Sequence, residues 1–485
     1  MIRYSIDRGS VHFARKGEYM VIDGSSARTV PEPVPPRKYP RACYGIVGKL
    51  ALPRSTMIIL VKDFKAVLQT KKGLVLQPSA LEFVSIGKRS EYFESMAQSA
   101  LDLDYLYYSQ DFDITSKWES REKRDDFMWN HYMAKDIPLF TIRLICGFVG
   151  SFSSDFRYIL LSRKHRKRVG TRYFSRGVDS EGNASNFVET EQIIEHSNKT
   201  EVFLQIRGSI PLEWEQVIDG RYRPKLNVKG RGGMDAHFEY LRQEYGDVAL
   251  VSLINQHGYE GKIHTEFTRE MQRQKEELVS FDFHQMAKAD SNGLRKFVDG
   301  ISSSMTERVV RTNCIDCLDR TNVVQSMLAF KKVGKEDGKF RNLWADHADA
   351  ISTLYSGTGA LKTDITRTGK RTFEGMVSDL SNSIVRYIRG NFLDGYRQDG
   401  LDLILGNCVP TEEQHRGGGA FLLFACSLAI STLPFYQADG ILSFLRLSFA
   451  YSLALLMLLV LVVGYMGPSL VNIPSLVKLR PYSSK

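Results

Sequence analysis

Cysteine is scarce in this chain, with six in 485 residues, at the irregular positions 43, 146, 314, 317, 408 and 426. That count and spacing exclude a disulfide framework and fit a reducing compartment. Proline is sparse too, at 15 residues, and there is neither an internal repeat nor a low-complexity linker, which argues against a disordered chain. Only one Cys-x-x-Cys occurs, at Cys314 and Cys317. Without a second such pair or a histidine pair at finger-like spacing, a structural zinc site lacks its four ligands. The opening "MIRYSIDRGSVHFARK" has no apolar core of the kind a signal peptide needs, so the body that follows is expected in the cytosol.

What is present suits a globular protein of two or more domains, with 43% hydrophobic and 25% charged residues over a length too great for one ordinary core. The formal net charge is +10; from Gly417 onward there are four cations and one anion, which leaves about +7 on the rest. A modest basic excess suits an anionic partner, whether nucleic acid, membrane surface or phosphorylated substrate.

Two apolar stretches narrow that choice. "GGGAFLLFACSLAISTLPFY" (417–436) and "LSFAYSLALLMLLVLVVGYM" (447–466) carry no charge, and each has about the length that a helix needs to cross hydrocarbon. The link between them holds only Asp439 and Arg446, whereas His415, Arg416, Lys478, Arg480 and Lys485 flank the pair. The positive-inside rule then predicts a two-helix transmembrane hairpin (417–466) with a cytosolic tail (467–485), tethering a cytosolic body to a membrane.

Within that body, β-like runs at 44–52, 56–64 and 73–86 precede an aromatic-rich stretch of helical potential at 90–115, which suggests a β-rich binding or scaffolding domain over 1–150. From 151 to 406, strand-like runs at 158–162, 202–208 and 247–255 alternate with helix-like ones, which suggests an α/β catalytic domain. "TEQIIEHSN" (190–198) offers a helix cap at Thr190.

The densest chemistry lies in "RTNCIDCLDRTN" (311–322). Upstream, "ERVVRTN" is strand-like; downstream, 320–333 reads as a helix with Val323, Met327 and Phe330 on one face. A tight loop at a helix N-terminus turns its N–H groups inward and cradles an anion. In a Cys-x5-Arg loop of this kind, Cys314 would sit under a phosphorus, and Arg320 would grip two phosphate oxygens in a fork. The same positive environment would depress the thiol and make a nucleophile that forms a phospho-cysteine, without metal or other cofactor. Asp316 and Asp319 are the local proton donors for the leaving oxygen, and Thr321 is placed to hydrogen-bond the thiolate. Cys317 is either a bystander or the partner of Cys314 in a protective disulfide.

This motif closely resembles the signature of the Sac family of phosphoinositide phosphatases, R-x-N-C-x-D-C-L-D-R-T-N. Segments 170–193, 205–216, 355–372 and 390–406 resemble that family as well, so the likeness spans roughly residues 40 to 406, and the whole resembles a plant-type, membrane-anchored member. Trp214 matches a family tryptophan, but Glu213 and Glu215 stand beside it where the family has Phe and Ser. The resemblance implies an N-terminal Sac lid domain on a phosphatase domain, acting on monophosphorylated inositol lipids, chiefly phosphatidylinositol 4-phosphate. It also implies a multi-pass protein of the endoplasmic reticulum or Golgi membrane. Cys314 matches the nucleophile and Arg320 the phosphate-binding arginine, while Asp316 and Asp319 share the acid's role.

Around them, Asn313, Ile315, Cys317, Leu318 and Thr321 of the loop are expected to bind the phosphate. Lys362, Arg367 and Lys370 of "LKTDITRTGKR" either line the headgroup pocket or pair with surface acids. "SRKHRKRVGTRYFSR" (162–176), with eight basic residues counting His165, suggests either a solvated loop or a contact with anionic headgroups. Nucleic-acid binding would want more aromatic interleaving and no anchor. His284 reads as a packed strand-end residue. A catalytically silent lipid-binding tether and a protein-tyrosine phosphatase are the rival readings; the intact Cys314 and Arg320 argue against the first, the anchor and the acidic loop against the second.

Overall fold

The computed structural model describes residues 1–411 except 8, 25, 32–38, 103, 283–292, 305–307 and 335–337, and beyond them residues 440, 443, 447, 450, 451 and 473–476. The chain begins with a five-stranded antiparallel sheet of β1 (Ile2–Asp7), β2 (Ser10–Arg15), β3 (Glu18–Asp23), β4 (Ser26–Val30) and β5 (Arg41–Cys43), in the order β4-β3-β2-β1-β5. Its alternating apolar residues Tyr4, Phe13 and Ile22 are wholly buried, against Ile58 and Leu60.

A larger sheet of eleven strands follows. Its first part is antiparallel: β6 (Gly45–Ala51), β7 (Ser55–Gln69), β8 (Leu74–Gly87), β9 (Leu106–Ser109), β10 (Ile145–Ser153), β11 (Arg157–Lys164), β12 (Val188–Glu195) and β13 (Thr200–Arg207) pair in sequence order. A separate ribbon of β14 (Glu213–Val217) and β15 (Lys225–Gly230) carries the buried Trp214. The last strands, β16 (Val248–Ser252), β17 (Leu278–Ser280) and β18 (Val309–Asn313), join in parallel, and β18 enters between β13 and β16. Parallel strands covered on both faces are apolar throughout or carry partnered polar groups. In β18, Val310, Arg311, Thr312 and Asn313 are all buried.

The helices are α1 (Glu91–Leu101), α2 (His131–Ala134), α3 (Met234–Tyr245), α4 (Gly261–Gln274), α5 (Gly293–Ser304), α6 (Asp319–Val333), α7 (Gly338–Ser356), α8 (Thr363–Thr368), α9 (Phe373–Phe392) and α10 (Asp394–Leu405). Helix α10 packs on α1, where a Cβ on Gly400 would come within 3.2 Å of both Ala100 Cβ and Met96 O. Leu401, Leu403, Ile404 and Leu405 thereby join the same apolar cluster as Phe93 and Met96. Residues 473–476 return to this helix: Asp399 accepts the N–H groups of Ser475 and Leu476 at 2.9 Å, and Leu476 is buried in the cluster.

Two expectations change on contact with the fold. Thr190 caps no helix, because 188–195 is strand β12, with all eight residues buried. Its glutamates escape the usual rule because Glu189 and Glu191 meet Arg163 at 2.9 and 2.6 Å. The stretch 90–115 is helical only as α1, and its aromatic remainder supplies β9. No helix among the described residues is long and apolar enough to cross a membrane. The segments 417–436 and 447–466 lie outside the described residues apart from Leu447, Ala450 and Tyr451, and His284 lies outside them as well.

Candidate active site

Strand β18 delivers the motif to the place where an open sheet binds ligands, beyond the carboxyl ends of its parallel strands. Its neighbours end in register with it: Arg207 of β13 lies opposite Thr312, and Ser252 of β16 opposite Asn313. Cys314 therefore emerges between Gly208 on one side and Leu253 on the other, and α6 starts five residues later. The strand–loop–helix expected from the sequence is present, with α6 covering the predicted 320–333.

The loop turns sharply at Cys317, whose φ of 53° lies in the left-handed region that a non-glycine side chain rarely adopts. That turn aims its N–H at the sulfur of Cys314, 3.1 Å away. The Cys317 thiol itself donates to Gly208 O at 2.8 Å and lies 3.3 Å from Cys314 O. Both cysteines are free and buried. Burial alone would push the Cys314 thiol up, but hydrogen bonding from Cys317, the charge of Arg320 and the Thr321 hydroxyl outweigh it and bring it down to about 6. Burial has the opposite net result at Cys317, which is held well above the ordinary thiol range.

Arg320 is oriented by a carboxylate that nothing in the local sequence announces. It donates to Glu260 Oε1 at 2.5 Å and Oε2 at 2.9 Å, and to Leu253 O at 2.8 Å. Asp316 is gripped by two arginines from the basic run, Arg176 at 2.6 Å and Arg172 at 3.0 Å. Burial raises its carboxyl, yet the two guanidiniums prevail and hold it well below the usual carboxylate range. Asp319, first residue of α6, accepts the Leu361 N–H at 2.6 Å and a forked pair from Arg386 of α9 at 3.1 and 3.3 Å.

The other candidates divide. Asn313 is buried and bonds Ser252 and Arg311. Ile315 gives its carbonyl to Arg176 at 2.8 Å. Leu318 packs into the core with Ile351 and Tyr355, so only its backbone is at the loop. Thr321 Oγ1 is buried without a hydrogen bond of ordinary geometry. Lys362, in a left-handed conformation, feels the charges of Asp319 and Arg320 and so lies beside the loop. Arg367 is instead committed to Asp346 at 2.8 Å and Asp349 at 3.3 Å, and Lys370 is exposed on the turn before α9.

The basic run 162–176 is largely interior, which corrects both readings of it. Arg163, Lys164, His165 and Arg176 are each buried, and Arg163 and Arg176 pair with carboxylates. Sequence reasoning also passed over Arg207, which is buried with Nε and Nη1 unpartnered. Burial lowers it to about 10, and it lies close enough to Cys317 and Cys314 for its charge to bear on both. Among the described residues there is no cluster of side chains suited to hold a metal ion.

The arrangement can activate a thiolate, hold a tetrahedral anion against it and keep carboxylates at hand. Residues 44–288 match the model of the SacI homology domain. The zebrafish (Danio rerio) phosphatidylinositol-3-phosphatase SAC1-B is 32% identical over 479 residues, covering 82% of each chain. The Saccharomyces cerevisiae phosphatidylinositol-3-phosphatase SAC1 is 36% identical over 385 residues, 63% of this chain and 62% of the yeast one. The Arabidopsis thaliana phosphoinositide phosphatase SAC6 is 31% identical over 488 residues, again 82% of each.

Proposed function

Because the chain belongs to the SacI homology family and is a phosphoinositide phosphatase, we propose that it cleaves monophosphorylated inositol lipids, chiefly phosphatidylinositol 4-phosphate, through a phospho-cysteine. The observation that carries the mechanism is the Cys314 thiol, brought down to about 6 inside a loop that also holds Arg320.

The Cys314 thiolate attacks phosphorus opposite the inositol oxygen. The S–P bond forms as the P–O bond to inositol breaks, and the departing oxygen takes a proton. Arg320, its fork pre-set by Glu260, holds two phosphoryl oxygens as charge spreads over them. Water then attacks the phospho-cysteine and releases inorganic phosphate, returning the thiolate.

Asp316 is the better proton carrier of the two aspartates. In the free protein its carboxylate is held by Arg172 and Arg176. An arriving phosphate dianion competes for those guanidiniums and repels the carboxylate, and both effects favour its protonation. Asp319 instead ties α6 to Leu361 and α9 and serves as a positioning residue. Asn313, Ile315, Cys317, Leu318 and Thr321 contribute through the loop's backbone and shape, and Lys362 through its charge.

The apolar segments 417–436 and 447–466 form the membrane hairpin in this reading, anchoring a multi-pass protein of the endoplasmic reticulum or Golgi. Support for a same-side return comes from Ser475 and Leu476, which dock on α10 of the body. The test uses the full chain with short-chain phosphatidylinositol 3-, 4- and 5-phosphates and a phosphotyrosine peptide. Fast release from the 4-phosphate, lost in Cys314→Ser, is expected. Preference for another isomer overturns the substrate assignment, and activity retained in Cys314→Ser overturns the nucleophile.

A further inference from the structure

Helix α9 is amphipathic in the reverse of the usual sense. Its inward side is polar: Arg386 is buried and bonds Asp319, Thr358, Ser352 and Gly359. Its outward side carries Phe373, Met376, Val377, Leu380, Ile384 and Ile388, exposed by 74, 48, 53, 64, 52 and 45% respectively. At 100° per residue these six fall within a stripe about 120° wide along roughly four turns. An apolar stripe of that length on a surface marks a contact with another apolar phase.

The surroundings of the stripe identify that phase. Tyr387 donates to Gly220 O at 2.7 Å, and its ring lies 6.4 Å from that of Tyr222. This places the loop 219–225 beside the helix, with Arg221, Tyr222, Arg223 and Lys225 exposed on it, Arg221 in an ion pair with Asp219. Lys370 is exposed at the helix's other end, and Glu374 is the acid on its exposed side. Aliphatic side chains rimmed by cations and an exposed tyrosine match the boundary of an anionic bilayer, where acyl chains meet acidic headgroups.

We propose that the outward face of α9, together with the 219–225 loop, seats the protein on an anionic bilayer. The proposal rests on the phosphoinositide reading of the active site. Arg386 couples the two physically, because the helix that would lie in the bilayer surface grips Asp319 at the start of α6 from its opposite side. A seated helix therefore fixes the catalytic loop relative to the headgroup plane.

The chain's own tryptophans make the test clean, since Trp118, Trp129, Trp214 and Trp344 are all buried. Leu380→Trp and, on the amino-terminal part, Leu139→Trp each add one exposed indole to the full chain. The chains are reconstituted in vesicles of phosphatidylcholine and phosphatidylserine with brominated acyl chains. Quenching of the Leu380→Trp emission, weakened by salt or by omitting phosphatidylserine, with Leu139→Trp unaffected, is expected. An unquenched Leu380→Trp overturns the proposal. Shielding of that indole from a soluble quencher without lipid would assign the stripe to segment 417–436 or to a second copy.

In the variant Leu380→Ser with Ile384→Ser, the ratio of turnover on vesicle lipid to turnover on a short-chain soluble phosphoinositide is expected to fall about tenfold. An unchanged ratio counts against docking. Failure of the parent chain to hydrolyse the short-chain lipid counts instead against the activity on which the proposal rests, and leaves the quenching result to decide the docking.

Discussion

A sulfur buried in protein ordinarily keeps its proton, and Cys317 and Cys146 do so here, both held up by burial. Cys314 differs because hydrogen bonding from the Cys317 side chain, the guanidinium of Arg320 and the Thr321 hydroxyl favour its charged form. Its value of about 6 means that the thiolate is present above that pH and is lost as the pH falls through it. A titration of ultraviolet thiolate absorbance, taken as the difference from Cys314→Ser, should show a step near pH 6; a step near 9 would refute the depressed thiol. At the next residue of interest, Asp316→Asn should slow release from an inositol lipid about a hundredfold or more. The same variant should lose far less on an aryl phosphate, whose phenolate departs without a proton. Equal losses on both substrates would remove Asp316 from the proton's path. The cysteine, the arginine and the two aspartates were all legible in the sequence because twelve consecutive residues hold them. Glu260, Arg172, Arg176 and Arg207 were not, because each reaches the loop from at least 60 positions away in the chain, by contacts that leave no local pattern.

Elements show the same division. Helix α6 and strand β18 were legible from apolar spacing, whereas β12 looked like a capped helix because its glutamates are buried against arginines from another strand. Burying charge is costly unless it is paired, so a sequence rich in Lys and Arg suggests a surface, and the run 162–176 misled for that reason. Helix α10 carries a buried charge with weaker compensation, a single long ion pair from Asp394 to Arg397 at 3.9 Å. Asp394 opens it, is buried, and leaves Oδ2 without a hydrogen bond. Burial raises its carboxyl to about 6, opposed by the charges of Arg397 and Arg389. A raised carboxyl contributes stability in full below its unfolded value and loses it as the pH rises through about 6. Asp394→Asn should therefore raise the melting temperature above pH 7, by on the order of 2 kcal/mol in stability, with the gain shrinking towards pH 4. Chemical denaturation at both pH values measures this, and a gain independent of pH would contradict it.

At the scale of the whole molecule, one sheet runs from β6 to β17, but it narrows at β9, which shares only two residue pairs with each neighbour. The packing of α10 on α1, tight at Gly400, adds to the hold between the two sides. Heat should unfold the parent chain in one transition, and Gly400→Val, which forces the helices apart at a cost of about 1–3 kcal/mol, should split or broaden it. Calorimetry decides this, and a single sharp transition in the variant would show that the seam at β9 suffices. This long-range seam could not be read from composition or periodicity, since its partners lie some 300 residues apart in the chain.

The late insertion of β18 between β13 and β16 has a consequence for the protein's own synthesis. Until that last strand slots in, no carbonyl of Gly208 anchors Cys317, no Glu260 steadies Arg320, and Cys314 is an ordinary thiol near 9. In a ribosome-bound or half-folded chain Cys314 is thus mostly protonated at neutral pH. Its depressed thiol arises only when the fold closes.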